Sequence, residues 1–440
     1  MTDSQSHLQP QSHTEMPPVI VVVDPFSSGS LIAPEAAKRG YRAICVTTFE
    51  EVPTYLKAVF SLDGFDAHYC LEEPVAQLAF DTVINELKKH NIVAVITGSE
   101  TGVPMTDKLR HALELPGNDP ATSQNRRSKF KMHEALRHNN LRHISQLLTS
   151  NKEEMMQWAE GLNYRVVLKP VDSGGTDGVH VCQTKEQVEQ AYDDIISMHN
   201  MFDLPISEVL GQQFIGGIEY VVDTVSMQGH HVVTNICQYE KWEMNGSMLY
   251  RTVGFIEPNN PDYQVLVNYT KQALDALGVY QGAAHSEVKI DEDGPVLIES
   301  GARLQGSNIP SFVAQFADFS QLDLLVDAYL DPAEFERKAE RGNSYHKCAK
   351  IFGFVNTKPV KIKKVNSSLI INLPSHYSSV VRFKAGDTLP PTTSMLDSPG
   401  WALLLHPEES VVDDDMRKLE AMERDHTMYI LERESEHEAV

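Results

Sequence analysis

Glu287 and Glu299 are the residues in this sequence whose types and spacing point most directly to chemistry. Glu287 lies in Ala284-His-Ser-Glu-Val-Lys-Ile290, Glu299 closes Pro295-Val-Leu-Ile-Glu299, and Asp291-Glu-Asp-Gly294 between them carries a turn signal. Two apolar runs joined by such a turn pair as a hairpin and set the carboxylates side by side. Like charges so placed are costly unless a cation lies between them, and hard oxygen donors facing a phosphate substrate suit Mg²⁺. Arg303, in Glu299-Ser-Gly-Ala-Arg-Leu-Gln-Gly306, offers a fixed fork of donors for charge developing on a phosphoryl or acyl-phosphate group. A bland alternative keeps both carboxylates as edge charges paired with Lys289 and Arg303.

A second stretch supplies positive charge. Val166, Val167 and Leu168 read as a strand, Val179 to Cys182 as its partner, and Asp172-Ser-Gly-Gly-Thr-Asp-Gly178 as a tip too small to pack a core. Lys169 ends the first strand, where its ammonium meets whatever the tip covers. Glycines let backbone N–H groups approach phosphate oxygens, so the hairpin is a lid candidate as well as an ordinary surface turn. Neither G-x-x-x-x-G-K-[ST] nor a strand-to-helix G-x-G-x-x-G occurs.

Both sites need a frame. Val19 to Val23 is a continuous apolar run, hence a buried parallel strand, followed by the turn Asp24–Ser30, a helix over 31–39 and a strand at 41–46. A helix over 75–90 leads into a strand at 92–96, after which Glu100 either serves a substrate or caps the next helix. Helices are expected over 103–115, 124–138, 153–160, 185–199 and 262–277. Arg126, Arg127, Lys129 and Lys131 would give the second of these a basic, solvated face. A connector from Leu210 leads into a strand ending near Val225, and another strand covers 232–238. Residues 240–254 read as a polar, aromatic excursion, and 345–440 as mostly β with an acidic helix near 408–425.

The chain of 440 residues has a net charge of −23, which argues against nucleic-acid or anionic-membrane partners but leaves room for small anions held by local Lys and Arg. Five scattered cysteines without a C-x-x-C pair suggest free thiols in the cytoplasm. No apolar run is long enough to span a membrane, and 1–18 reads as a disordered tail.

The order of Lys129, Lys169 with its glycine hairpin, Gln212-Gln-Phe-Ile-Gly-Gly-Ile-Glu219, Glu287, Glu299 and Arg303 resembles the ATP-grasp superfamily over residues 19–330. Within it, Asn125-Arg-Arg-Ser-Lys-Phe-Lys-Met132, His285-Ser-Glu287 and Leu297–Gly306 resemble the carboxylate–amine ligases that include bacterial L-amino-acid ligases. The resemblance implies an α/β ATP-grasp fold. Its parts would be a Rossmann-like N-terminal domain (19–120), two α+β subdomains enclosing ATP (121–210 and 211–345), and a small, mainly β portion (346–440).

It also implies site roles. Lys129 and Lys169 would meet nucleotide phosphates under a loop carrying Ser173, Gly174, Gly175, Thr176 and Gly178. Gln212, Gln213, Phe214 and Ile215 would line the adenine, Glu219 would hold the ribose, and Glu287 and Glu299 would hold Mg²⁺. Lys169 and Arg303 would act in catalysis, with Arg303 steadying the acyl phosphate. Substrate candidates are Glu100, His285, Arg303, Gly306 and Asn308, with Glu240, Lys241, Trp242, Tyr250 and Arg251 from the excursion. His285 has the further option of orienting Glu287.

Two positions depart from the pattern: Gln212 stands where many members carry an acidic residue, and Gly301 where E-x-N supplies a third metal ligand. The implied partners are amino-acid substrates and a second copy in a homodimer. Competing expectations are a carboxylating or nucleotide-pathway ATP-grasp ligase, a nicotinamide-dependent oxidoreductase, and a non-catalytic nucleotide binder.

Overall fold

The apolar run Val19–Val23 becomes a central strand of the first sheet. In the computed structural model, which describes residues 16–57, 59–72, 74–171, 178–199, 205–244, 247–394 and 397–431, β1 (Pro18–Val23), β2 (Arg42–Thr47), β3 (Ala67–Cys70) and β4 (Asn91–Thr97) form a sheet ordered β3-β2-β1-β4. Every pairing in it is parallel. Parallel strands need crossovers that cover both faces, so Ile20 and Val22 join one core while Val19, Val21 and Val23 join another. At the carboxyl edge the loops after β1 and β4 touch backbone to backbone: a Cβ on Gly29 would meet the Gly98 carbonyl oxygen at 2.2 Å.

A second, antiparallel sheet contains β5 (Gln146–Thr149), β6 (Val166–Lys169), β7 (His180–Cys182) and β8 (Val209–Gln213), ordered β5-β8-β6-β7. The pairing of Val166 with Cys182 makes the hairpin anticipated from the glycine-rich stretch. Ser173, Gly174, Gly175 and Thr176 lie outside the described residues, while Gly178 adopts φ +66°. Val209–Gln213, read as a connector, is instead a central strand between β5 and β6. Helix Lys185–Ser197, closed at its start by a Thr184–Gln187 capping box, packs Val188 and Ile195 against Val166 and Leu168.

The third sheet dominates the molecule. It begins with β9 (Ile218–Met227), β10 (His230–Met244), β11 (Ser247–Ile256), β12 (Gly282–Asp291), β13 (Gly294–Gly301) and β14 (Cys348–Phe354). Further strands follow as β15 (Val360–Val365), β16 (His376–Val381), β17 (Thr388–Leu389), β18 (Gly400–His406) and β19 (Tyr429–Leu431). The large sheet is ordered β13-β12-β9-β10-β11-β14-β18-β16, and β17-β15-β19 form a small one. Residues 240–254 are therefore not an excursion. Residues 240–244 and 247–254 belong to the outer half of the paired strands β10 and β11, where the exposed end carries polar residues.

Helix Tyr263–Leu277 packs its apolar stripe on the large sheet through Leu266, Ala273 and Leu277. Helix Gln321–Leu330 was not anticipated: it buries Leu322, Leu324, Leu325, Val326 and Ala328, and a helix buried nearly all round shows no amphipathic period. The acidic helix is Glu409–Arg424, and it seats Val412 and Leu419 on the core around Phe352 and Leu404. Among the described residues no helix is long and apolar enough to cross a membrane.

Candidate active site

The antiparallel pairing of β12 and β13 sets Glu287 directly opposite Glu299, with a register shift just after Glu287. Into the same place come Lys169, from the end of β6, and Lys129, the first residue of helix Lys129–His138. Ser128 starts that helix, its hydroxyl accepting from Lys131 N. The Lys129 ammonium lies 3.2 Å from Glu299 Oε2. Lys129, Lys169, Glu287, Glu299 and Arg303 line one cavity of about 310 Å³, together with Gln212, Gln213, Phe214, Ile215 and Glu219. Residues from elements far apart in the sequence thus surround one volume. Gln212 is buried, and its amide donates to Gln146 Oε1 at 3.2 Å.

Charge is distributed unevenly in this cavity. Burial pushes the Glu287 carboxyl up, opposed by the Lys241 charge and reinforced by Glu299. For Glu299 burial acts in the same direction, but Lys129, Lys169 and Arg303 override it and hold the carboxyl at about 2. Lys169 is brought down to about 8 by burial and by Lys129, against the pull of Glu299 and Glu287. Two facing carboxylates and two ammonium groups in one buried volume form a site whose charges suit polyanionic and cationic partners together.

Beside it, Glu219 is gripped by Lys241 and lies 3.7 Å from the Lys289 ammonium, which donates to the Ile215 carbonyl at 3.1 Å. The edge-charge alternative therefore does not form: Lys289 turns to Glu219, and Arg303 Nε meets Glu100 Oε2 at 3.3 Å. Glu100 is not a helix cap either, since neither Glu100–Gly102 nor Val103–Ala112 has a side-chain cap bond. Its reach across to Arg303 brings its carboxylate against Gly301. A Cβ at that position would meet Glu100 Oε2 at 2.5 Å, so a side chain there would displace the end of a carboxylate that comes from the loop after β4.

His285 does not orient Glu287. Its Nδ1 lies 2.8 Å from Asp223 Oδ1, and Asp223 is held in turn by the Asn235 amide at 2.7 Å. Gly306 lines a neighbouring cavity, whereas Asn308, at φ +57°, donates its N–H to Ser28 Oγ and lines neither cavity. Of the other substrate candidates, Lys241 and Tyr250 face the carboxylates, but Arg251 is structural. Its guanidinium lies between the Trp242 and Phe352 rings and ion-pairs with Glu423 at 2.9 Å. Glu240 accepts from Trp242 and Thr252. Sequence reading missed Asp223, Tyr239 and Gln305, because nothing local distinguishes a buried polar residue on a strand or loop from any other.

Two carboxylates with hard oxygen donors fit a divalent cation that keeps waters and takes its remaining ligands from substrate phosphates, as Mg²⁺ does. No cluster of three or more His, Cys, Asp or Glu residues suited to a metal occurs among the described residues; Glu287 and Glu299, opposite each other on β12 and β13, are the candidate protein ligands.

Comparison with known proteins places the chain in a family. Residues 162–311 match the model of the ATP-grasp domain. Over 417 residues, covering 92% of this chain and 96% of the relative, the sequence is 31% identical to dapdiamide A synthase of Enterobacter agglomerans. The chain belongs to the ATP-grasp family. This ATP-grasp protein is also 22% identical to alanine–anticapsin ligase of Bacillus subtilis over 293 residues, 62% of each chain. Among solved structures, that of an L-amino acid ligase from Bacillus licheniformis superposes with a TM-score of 0.72 at 21% identity, covering 96% of this chain and all of the other. The expected ATP-grasp fold is the one observed.

Proposed function

We propose that this ATP-grasp protein is an ATP-dependent carboxylate–amine ligase that joins the carboxylate of one amino acid to the amine of another, with ADP and phosphate as co-products. The observation that carries the reading is the meeting of Lys129, Lys169, Glu287, Glu299 and Arg303 around one cavity. The likeness to dapdiamide A synthase extends it to a dipeptide-type metabolite as product.

A carboxylate is a poor electrophile because its charge repels nucleophiles and its leaving group is oxide. Transfer of the γ-phosphoryl of ATP makes an acyl phosphate, and the amine then displaces phosphate. Such transfer is mostly positioning and electrostatics. Lys129 and Lys169 hold the nucleotide phosphates, and Gln212, Gln213, Phe214 and Ile215 frame the base. Glu219, fixed by Lys241 and Lys289, faces the ribose. Glu287 and Glu299 would hold Mg²⁺, which when bound neutralises phosphate charge. Arg303, braced by Glu100, offers its remaining donors to the reacting acyl phosphate.

The test is a matrix of amino-acid pairs, including diaminopropionate derivatives, scored for phosphate release and product mass. Phosphate is expected only when a carboxylate donor and an amine acceptor are both present, together with a product whose mass equals the sum of the two amino acids less one water. Bicarbonate-dependent ATP hydrolysis in place of this pattern would assign the protein to the carboxylating ligases instead.

A further inference from the structure

One face of the large sheet runs from charged to apolar. Alternation puts His285 and Glu287 of β12 on the same face, and a second cavity of about 230 Å³ starts there. It continues over Tyr239 of β10, Val253 and Phe255 of β11, Ile351 of β14, and Trp401 and Leu403 of β18. A bulge helps: Glu240 pairs with Thr252 and Lys241 with Tyr250, so Arg251 is the extra residue, and Tyr250 turns to the same side as Val253. Met248, Tyr250 and Glu287 line both this cavity and the one beside Lys169, so the two share walls.

Charge is scarce in the second cavity. Among the described lining residues the ionisable side chains with a partner of opposite charge are His285, with Asp223, and Arg251, with Glu423; Glu287 stands at the end shared with the phosphate site. Two buried polar atoms of its lining residues have no hydrogen-bond partner among the described residues, Arg251 Nε, stacked between aromatic rings, and Gln305 Oε1. Gln305 is buried, its amide donates to Tyr239 Oη at 3.4 Å, and its Oε1 has no hydrogen-bond partner among the described residues. A buried acceptor left unpaired is costly, and Gln305 belongs to the cavity wall, so a small turn of its amide would present Oε1 to a donor on a ligand.

We propose that this cavity seats the uncharged, apolar side chain of one of the two amino-acid substrates, with that amino acid's ammonium directed at Gln305. The proposal rests on the ligase reading above and names its substrate class: leucine-, methionine- or phenylalanine-like rather than acidic or basic. It also gives the C-terminal strands β14 and β18 a task, since they supply the apolar wall that β12 lacks. Between Val253 and Leu403 a charged side chain would be buried among apolar groups, since of the described lining residues Arg251 and His285 already hold counter-ions and Glu287 stands at the end shared with the phosphate site.

Isothermal titration of the full chain, with Mg²⁺ and a non-hydrolysable ATP analogue present, tests this with L-leucine, L-methionine, L-phenylalanine, L-glutamate and L-lysine. The three apolar amino acids are expected to bind at least about a hundredfold more tightly than the two charged ones. Leu403→Glu, in the wall, should weaken L-leucine by about tenfold or more and narrow its lead over L-lysine, with nucleotide affinity unchanged. Val253→Phe, which fills the cavity without adding charge, should weaken L-phenylalanine most, and it decides the matter if Leu403→Glu does not fold. Equal binding of L-glutamate and L-leucine, or an unchanged ranking in the folded variants, would overturn the proposal. If L-leucine binds and the variants lose it while no amino-acid pair ever releases phosphate, the ligase reading fails and the pocket stands. If amino-acid pairs release phosphate while the ranking is the same in every variant, the ligase reading stands and the pocket assignment fails.

Discussion

Lys169→Ala is expected to lower ATP-dependent phosphate release by about a hundred- to a thousandfold while leaving the melting temperature unchanged or higher. The two halves of that expectation come from the same environment. Lys169 is 6% exposed, at the end of β6, and burial together with Lys129 brings its ammonium down to about 8. A cation so placed is held at a cost in the folded protein, offset in part by Glu299 and Glu287. Removing it relieves that cost, so stability does not fall. The phosphates lose a desolvated point charge at the step where negative charge is being moved, so activity does. Calorimetry and a phosphate assay on the same preparation separate the two effects. Wild-type turnover in this variant would show that Lys169 is a structural residue.

Arg126→Ala should do the opposite, lowering stability by about 3–5 kcal/mol, because it strips the partner from a buried charge. Arg126 and Asp107 are each 1% exposed and 2.8 Å apart. The guanidinium also donates to the carbonyls of Leu277 and Gly278, both at 2.9 Å, and of Asp119 at 3.0 Å. It therefore ties the helix Val103–Ala112 and the turn at Asp119 to the end of helix Tyr263–Leu277, which underlies the large sheet. In the variant, Asp107 keeps only the Ser123 hydroxyl, at 2.6 Å, of these two contacts. Lys131→Ala, at an exposed position of the neighbouring helix, should stay within about 0.5 kcal/mol of wild type in chemical denaturation. Equal effects of the two substitutions would refute the assignment of Arg126 to a buried network.

That contrast shows what could be read from the sequence. Arg126 and Lys131 sit in one basic run and look alike, since what separates them is an aspartate on another helix. The glycine hairpin and the Glu287–Glu299 hairpin were legible because turn residues between apolar runs are local signals. The long hairpin β10–β11 was not, because Glu240, Lys241 and Glu243 interrupt the alternation where the strands run past the core. Glu100–Arg303, Lys241–Glu219 and His285–Asp223 all join segments whose proximity is set only by the fold. Gly301 carried half of one such signal: a glycine where a ligand was expected leaves room for another side chain, and in the structure the Glu100 carboxylate lies against it.

The most direct test of the whole account follows oxygen. With the amino-acid pair that the matrix selects, the carboxylate donor is labelled with ¹⁸O and the released phosphate is weighed by mass spectrometry. Activation as an acyl phosphate predicts one ¹⁸O atom in each phosphate formed alongside product. Unlabelled phosphate, released in step with amide, would mean that the carboxylate oxygen never bonded to phosphorus and would contradict it.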